Sequence, residues 1–273
     1  MKDLYLIILC TCLAVTPTTA YAQTLSSIEE TDSAATVASP LQPTPSKALA
    51  DSAYTAEDYQ LAASLYSALL AENGESAMIY YNLGNSYFRM DSLGRAILNY
   101  ERALLLDPAD TDIRFNLQLA RSHTADKVTP VGEMFFVTWW KVLTLSLNVQ
   151  TWGWMALATF VLMLAAIGLY IFVPSVAGRK IAFSAAIVML LLCVVANIAA
   201  AQARQHLLNR TGAIVMHPSA VVHSTPSQSG KDLFILHEGT HVELLDDSMS
   251  DWIQIQMPDG KEGWISRNEI ERI

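Results

Sequence analysis

The sequence predicts a multidomain protein with three architectures in series: an all-α region of helical repeats, a hairpin of two transmembrane helices, and a small all-β barrel. Three observations support this prediction. Small and aromatic residues recur at the spacing of paired helices within residues 47–126, two uncharged apolar runs occupy residues 152–173 and 181–203, and short alternating segments fill residues 210–273. Paired helices, membrane spans and half-buried strands differ in apolar period and length, so the pattern separates the three regions.

Composition limits the classes of partner. The chain of 273 residues is 52% hydrophobic and has a formal net charge of -9. A core is therefore easily supplied. Nucleic-acid binding needs a clustered basic face, which this acidic chain does not offer, so we expect no nucleic-acid partner.

Residues 1–22 have the layout of a secretory signal peptide. Lys2 supplies the charged start, an apolar stretch too short to span a bilayer follows, and residues 20–22 read AYA, a small-x-small cleavage site. We expect cleavage after Ala22. An uncleaved anchor is the alternative.

The segment after this site has little to bury. Residues 23–46 are rich in Ser, Thr, Ala and Pro and predict a disordered linker. Cleavage removes two of the three cysteines and leaves Cys193, so the mature chain has no disulfide framework.

The segment that begins at Ala77 has the spacing of a helix-turn-helix repeat. Small, aromatic, apolar and proline residues stand at the signature positions, namely Tyr80, Leu83, Gly84, Tyr87, Ala96, Tyr100, Ala103 and Pro108. Small residues let two helices cross closely, large ones fill the gaps between them, and proline ends the second helix. The segment resembles the tetratricopeptide repeat, a unit of about 34 residues.

Weaker copies extend this domain over residues 47–126. One period earlier, Ala50 and Tyr66 take matching positions, and one period later a single helix carries Leu117, with Gln118 where a small residue is expected. That last helix is predicted to be terminal and solvated. An array of about two and a half repeats falls short of the three needed for stability. Either it is marginal alone, or a partner or an adjacent segment completes it.

The resemblance implies a concave groove, lined by the first helix of each repeat, that holds a peptide or a partner helix. Tyr81, Asn85, Phe88 and Phe115 stand at groove positions, and Asn82, next to Tyr81, is a further candidate. The two asparagines can hydrogen-bond an extended backbone. Met78 stands at a further groove position, and a place in the core is an equally good interpretation of it.

A membrane region follows. Residues 132–150 combine aromatic side chains with Lys141, which predicts an interfacial segment at headgroup level; a buried amphipathic helix packed on the repeats is the alternative. Residues 152–173 and 181–203 contain no charged residue, and each run can cross ~30 Å of hydrocarbon.

The link between the spans, PSVAGRK, is short enough to force an antiparallel hairpin, so both soluble parts share one side of the membrane. The distribution of Lys and Arg gives a poor bias for orientation. The predicted signal peptide determines the orientation, because it directs export of the helical repeats. We therefore predict an inner-membrane protein with both soluble domains in the periplasm.

Residues 210–273 are predicted to form short strands. VELLDD is extended, WIQIQM alternates apolar and polar side chains, and residues 258–260 supply a tight turn. The segment resembles a bacterial SH3-type β-barrel. The resemblance implies a peptide-binding surface formed by Trp252 and Trp264, with a core position as the alternative for Trp264.

The sequence HEGTH at residues 237–241 matches the H-E-x-x-H pattern of zinc proteases. That site needs a helix, so that both imidazoles face one metal, whereas Gly239 and Thr240 lie here between β-rich runs and predict a turn. We therefore predict no metal site, and we interpret His217 and His223 as barrel-surface residues. The sequence contains no nucleophile elbow, phosphate loop or paired catalytic carboxylates. We therefore predict that the protein has no catalytic residues, binds no cofactor and is not an enzyme.

The order of modules is more specific than any module alone. A signal peptide, tetratricopeptide repeats, interfacial tryptophans, two spans and an SH3-like tail together resemble the BatE family of the Bacteroides aerotolerance operon. That resemblance implies a membrane scaffold that works with other Bat proteins, several of which bear von Willebrand factor A-type domains or further repeats. It also implies a link to oxygen or stress tolerance.

The sequence thus favours a non-enzymatic adaptor that docks membrane or periplasmic proteins through its repeats and its SH3-like domain. The alternative is a cell-envelope sensor whose barrel binds peptidoglycan stem peptides. A metalloprotease is the third hypothesis, and it would require zinc bound through His237.

Overall fold

A computed structural model describes residues 45–127, 132 and 134–273. The predicted signal peptide and nearly all of the predicted linker lie outside the described residues. Eight helices are present in the described part: α1 (Lys47–Thr55), α2 (Tyr59–Asn73), α3 (Ala77–Arg89), α4 (Leu93–Leu106), α5 (Thr111–Ser122), α6 (Phe135–Leu145), α7 (Val149–Phe172) and α8 (Val176–Leu208). Seven strands follow: β1 (Gly212–Val215), β2 (Ser219–His223), β3 (Asp232–His237), β4 (His241–Asp246), β5 (Trp252–Gln256), β6 (Glu262–Ser266) and β7 (Ile270–Arg272).

Helices α1 to α5 form the predicted helical array. Side-chain oxygens at Ser46, Asp58 and Asp110 accept backbone N–H groups at the starts of α1, α2 and α5 and satisfy donors that the helices leave free. The close crossing of α3 and α4 depends on Gly84, where a Cβ would lie 2.8 Å from the buried ring of Tyr100. The close crossing of α3 and α4 therefore requires the small residue that the sequence predicted at position 84.

The weak copies fold as the sequence predicts. Helices α1 and α2 pair into a hairpin whose fully buried Ala50 and Tyr66 pack with Leu83 of the next unit. Helix α5 is the single terminal helix that was predicted, with Leu117 buried and Gln118 exposed. It is not solvated on all sides as predicted, because Ile214 of the β domain packs against its Leu117 and Ala120.

Helices α7 and α8 form the apolar hairpin. Each is long and apolar enough to cross a membrane, with mean hydropathy of 2.4 and 2.6 over the best windows, and only 17% of each window is buried. Such exposure is unlike the core helix of a globular domain. Three residues connect the helices, which pack along their lengths and are therefore antiparallel.

The second helix is longer than the predicted span at both ends. Ser175 caps it by accepting the N–H of Gly178, and the Arg179 side chain donates to the carbonyl of Val173, so most of the predicted link is the first turn of α8. At the other end the helix continues through Arg204 and His206 to Leu208.

Helix α6 lies against the end of this hairpin. The Trp140 indole N–H donates to Gln202 of α8 at 2.9 Å, and the indole N–H of Trp152 donates to the carbonyl of Thr144 at 3.0 Å. Trp139 remains 64% exposed, so α6 is not a buried core helix. Its place at a membrane interface stays a prediction.

The C-terminal domain is an antiparallel all-β sheet in the order β3-β2-β6-β5-β4-β1-β7. The predicted alternation in β5 is confirmed, because Ile253 and Ile255 are buried in the core while Trp252 and Gln254 point to the opposite face. The predicted turn is also present, with Gly260 at a φ of 85°.

Candidate partner-binding site

The first helices of the three units share one face of the array. Side chains of α1, α3 and α5, together with Tyr100 of α4, line a small open cavity of about 140 Å³. Asn85 and Phe88 line it from α3, and Asn116 and Leu119 line it from α5. These are the helices that the resemblance assigns to the concave groove.

A polar network fixes the centre of this face. The Tyr100 hydroxyl donates to Oδ1 of Asn85 at 2.7 Å, and the Asn116 amide donates to the same oxygen at 3.0 Å and to the Tyr81 hydroxyl at 3.0 Å. Burial raises the pKa of Tyr100, which therefore stays a neutral donor. The network occupies the Asn85 oxygen, so a ligand would meet its amide group.

The predicted groove residues divide into two sets. Tyr81, Asn82, Asn85 and Phe88 are half-buried, whereas Phe115 is 66% exposed. Phe88 packs edge-to-face on His123 at 5.8 Å between ring centroids.

Exposed apolar side chains flank the network. Met78 is 56% exposed, so the core interpretation of this residue is wrong. Sequence reasoning missed Asn116, although it follows Phe115 as Asn82 follows Tyr81 in the preceding unit, and that repetition was a usable signal.

The two tryptophans of the β domain lie on one outer face of the sheet. In the register of β5 and β6, Trp252 pairs with Ser266 and Gln254 pairs with Trp264, which makes the tryptophans diagonal neighbours. Both are half-buried. Trp264 therefore lies opposite the core face that Ile265 occupies, and its core interpretation is wrong.

His223 lies between these tryptophans. It pairs with Trp264 across β2 and β6, and its ring meets that of Trp252 edge-on at 5.4 Å. Its side chain is only 14% exposed, with Nδ1 at 3.0 Å from Asp232. His223 lies on the outer face of the sheet as predicted, but the Trp252 ring covers much of it, whereas His217 is exposed.

The HEGTH segment forms the predicted turn between β3 and β4, with Gly239 at a φ of 86°. Its residues contact the helical array. Asp126 accepts the backbone N–H of His237 at 2.8 Å, Nδ1–H of the same residue at 2.8 Å, and the hydroxyl of Thr240 at 2.7 Å. Burial raises the pKa of Asp126, but these hydrogen bonds outweigh burial and hold it below its ordinary value.

The next residue of the turn continues this contact. The Glu238 carboxylate accepts the N–H of Gly94 at 2.8 Å, in the first turn of α4, where an anion complements the helix dipole. A Cβ at Gly94 would lie 2.7 Å from the Glu238 side chain. The turn thus joins the domains, a role with no local sequence signal because its partners lie more than a hundred residues away.

Apolar residues complete the same interface. Ile214 of β1 is fully buried with Ile97 of α4 and with Leu117 and Ala120 of α5. These side chains form the face that a further helix of the array would cover. The adjacent β domain therefore completes the short array, which answers the question raised by its length.

Two arginines add polar contacts at the edges of this interface. Arg102 of α4 donates to the Glu271 side chain at 3.0 Å and to the Arg272 carbonyl at 2.6 Å. Arg210 makes a bidentate pair with Glu75, both bonds at 2.6 Å, and this pair lowers the pKa of Glu75. The contacts hold β7 and the connection between α8 and β1 against the array.

Comparison with known families agrees with this architecture. Residues 77–110 match the family model of the tetratricopeptide repeat, and residues 218–271 match that of the bacterial SH3 domain. The chain combines both modules. No curated protein matches it significantly. Tetratricopeptide repeats and SH3 domains are typically non-catalytic interaction modules, and the bacterial SH3 domain suggests a place in the cell envelope.

Proposed function

We propose that the protein is a non-enzymatic scaffold of the inner membrane that docks other membrane or periplasmic proteins. The observation that carries the proposal is the division of surfaces on the array. The β domain covers Ile97 and Leu117, while the face with Phe115 and Met78 stays open. An open face with exposed apolar anchors around a fixed polar centre suits a partner helix or peptide.

The membrane part gives this scaffold its location. Both soluble domains lie at the same end of the apolar hairpin, since α6 and β1 adjoin the α7 start and the α8 end. The signal peptide predicted at residues 1–22 supports a periplasmic placement of both. The order of modules further supports a role like that of BatE, in a Bat-type complex with a part in aerotolerance or stress.

The docking proposal is tested by crosslinking in intact cells. A photo-crosslinking residue in place of Phe115 is expected to capture a membrane or periplasmic protein. The same residue in place of Leu61, an exposed leucine on the second helix of a repeat, is the matched control. Equal capture at both positions, or none at either, would contradict docking on this face.

Topology has a separate test. Reporters that are active only after export are fused after Asp126 and after Ile273, and both fusions are expected to be active. One inactive fusion would refute the periplasmic placement.

A second function, binding of peptidoglycan stem peptides, is favoured by the aromatic face of Trp252 and Trp264. Aromatic rings backed by an imidazole suit an extended peptide. If this function holds, the full chain in detergent sediments with purified peptidoglycan, Trp252→Ala abolishes sedimentation, and Trp139→Ala, which changes an exposed tryptophan of α6, does not. Equal sedimentation of both variants would exclude this surface.

A further inference from the structure

A crevice of about 790 Å³ lies where the helical array, α6, the hairpin and the β domain meet. This volume falls within the range of ligand-binding clefts, roughly 300–1,000 Å³. Its walls carry a set of leucines from α4, α6, the connection after α6, and α8: Leu104, Leu105, Leu145, Leu147 and Leu207.

The crevice lies at the end of the hairpin that faces the soluble domains. Helix α8 has 33 residues, which at ~1.5 Å per residue is about 50 Å, well beyond ~30 Å of hydrocarbon. Its last turns, with Arg204 and His206, therefore extend past the apolar layer. Trp152 at the start of α7 packs on Ala203 of α8, so both helix ends are at the same level. The crevice thus opens at the depth of lipid headgroups.

Charged groups stand beside the leucines. Arg114, Lys141 and Arg210 line the crevice. The Arg114 guanidinium donates to the Pro108 carbonyl at 2.5 Å, and Arg210 is bound to Glu75. Two carboxylates also line the crevice. Glu101 forms an ion pair with Arg121, and Glu243 lies on β4. Arg114 and Lys141 beside an apolar wall suit a single phosphate diester with an attached acyl chain.

We propose that this crevice binds one glycerophospholipid, with an acyl chain along the leucines and the phosphate at Arg114 and Lys141. The proposal rests on the proposed function in one respect, since it requires the hairpin to lie in a membrane. A lipid held there would fill the space between the array and α6 and tie the soluble domains to the bilayer surface.

The test uses the full chain purified in mild detergent, with phosphatidylglycerol and phosphatidylethanolamine titrated separately and followed by native mass spectrometry. The wild type is expected to bind about one lipid, the stoichiometry of a single built cleft. Val142→Trp obstructs the crevice and is expected to abolish binding, while Val161→Trp on the exposed face of α7 leaves it unchanged.

The headgroup contact has its own pair of variants. Lys141→Gln is expected to weaken binding about tenfold, the effect of one charged hydrogen bond, whereas Lys180→Gln at the far end of the hairpin has no effect. Binding of both lipids assigns recognition to the shared phosphate. No bound lipid on the wild type, or equal binding by Val142→Trp and Val161→Trp, overturns the proposal.

Extraction of membranes at alkaline pH separates the two levels of failure. If the protein is released without detergent, the membrane anchor itself is refuted. If the protein stays in the membrane but binds no lipid after purification, only the lipid site is refuted.

Discussion

Asp126→Ala is the most direct test of the contact between the helical array and the β domain. The substitution removes the acceptor of three hydrogen bonds, two from His237 and one from Thr240. The Thr240 side chain is buried, so its hydroxyl would lose a partner where water has little access. The β3–β4 turn should then separate from the array more often.

The magnitude follows from these bonds. Each hydrogen bond to an ionised carboxylate contributes about 1.5–3 kcal/mol. Because the Asp126 side chain is 19% exposed and the three bonds share one acceptor, their effects are less than additive, and we expect a total of about 3 kcal/mol. That loss corresponds to about a hundredfold increase in the population in which the domains are apart.

The assay is amide hydrogen exchange on the full chain in detergent, read at the amides of His237, Gly239 and Gly94. All three are hydrogen-bonded at or beside the interface, so their exchange reports its opening. Exchange is expected to accelerate by up to about a hundredfold in Asp126→Ala. Asp251→Ala, at an exposed aspartate of the β domain, is the control and should leave it unchanged. Unchanged protection in Asp126→Ala would refute the assigned role of this carboxylate.

Three further outcomes are expected in thermal unfolding. The folded pKa of Asp126 lies below the ordinary 3.8, so the stability that its carboxylate contributes is complete above about pH 4 and is lost as the pH falls through the lowered pKa. The difference in Tm between wild type and Asp126→Ala should therefore shrink on acidification. A difference that stays constant would contradict this. Gly84→Ala forces a Cβ against the Tyr100 ring and should destabilise the array by about 1–3 kcal/mol. The control Gly153→Ala, which has open space at its Cβ, should leave stability unchanged. Equal effects of the two substitutions would refute the close crossing of α3 and α4. Arg210→Gln removes a partly exposed ion pair and should lower the free energy of unfolding by at most about 1 kcal/mol; a much larger decrease would contradict a weak contribution from this pair.

Local sequence was enough to predict the elements. The spacing around Gly84 predicted a close helix crossing, and the alternation after Trp252 predicted which side chains of β5 face the core, because helix and strand periods fix which side chains share a face. The turn at HEGTH was predicted in the same way, from a glycine between two β-rich runs.

The relation between the elements could not be predicted in this way. Asp126 and His237 are 111 residues apart, and neither carries a local pattern that names the other. His223 lies on the predicted outer face, but no local pattern indicated that the Trp252 ring of another strand packs against it. Helix α8 extends beyond the predicted span, because hydropathy falls at Arg204 whereas backbone hydrogen bonding continues to Leu208. Tertiary contacts decide these features, and one sequence contains no direct signal of them.

The connection between α8 and β1 limits how far the β domain can reach. It consists of three residues, 209–211, which span about 10 Å when fully extended. Arg210 in its middle is also bound to Glu75 of the array. The β domain therefore stays close to the end of α8, and a ligand must come to that end of the apolar hairpin to be bound. A force on such a ligand would be transmitted through residues 209–211 to α8 and, through Arg210, to the helical array.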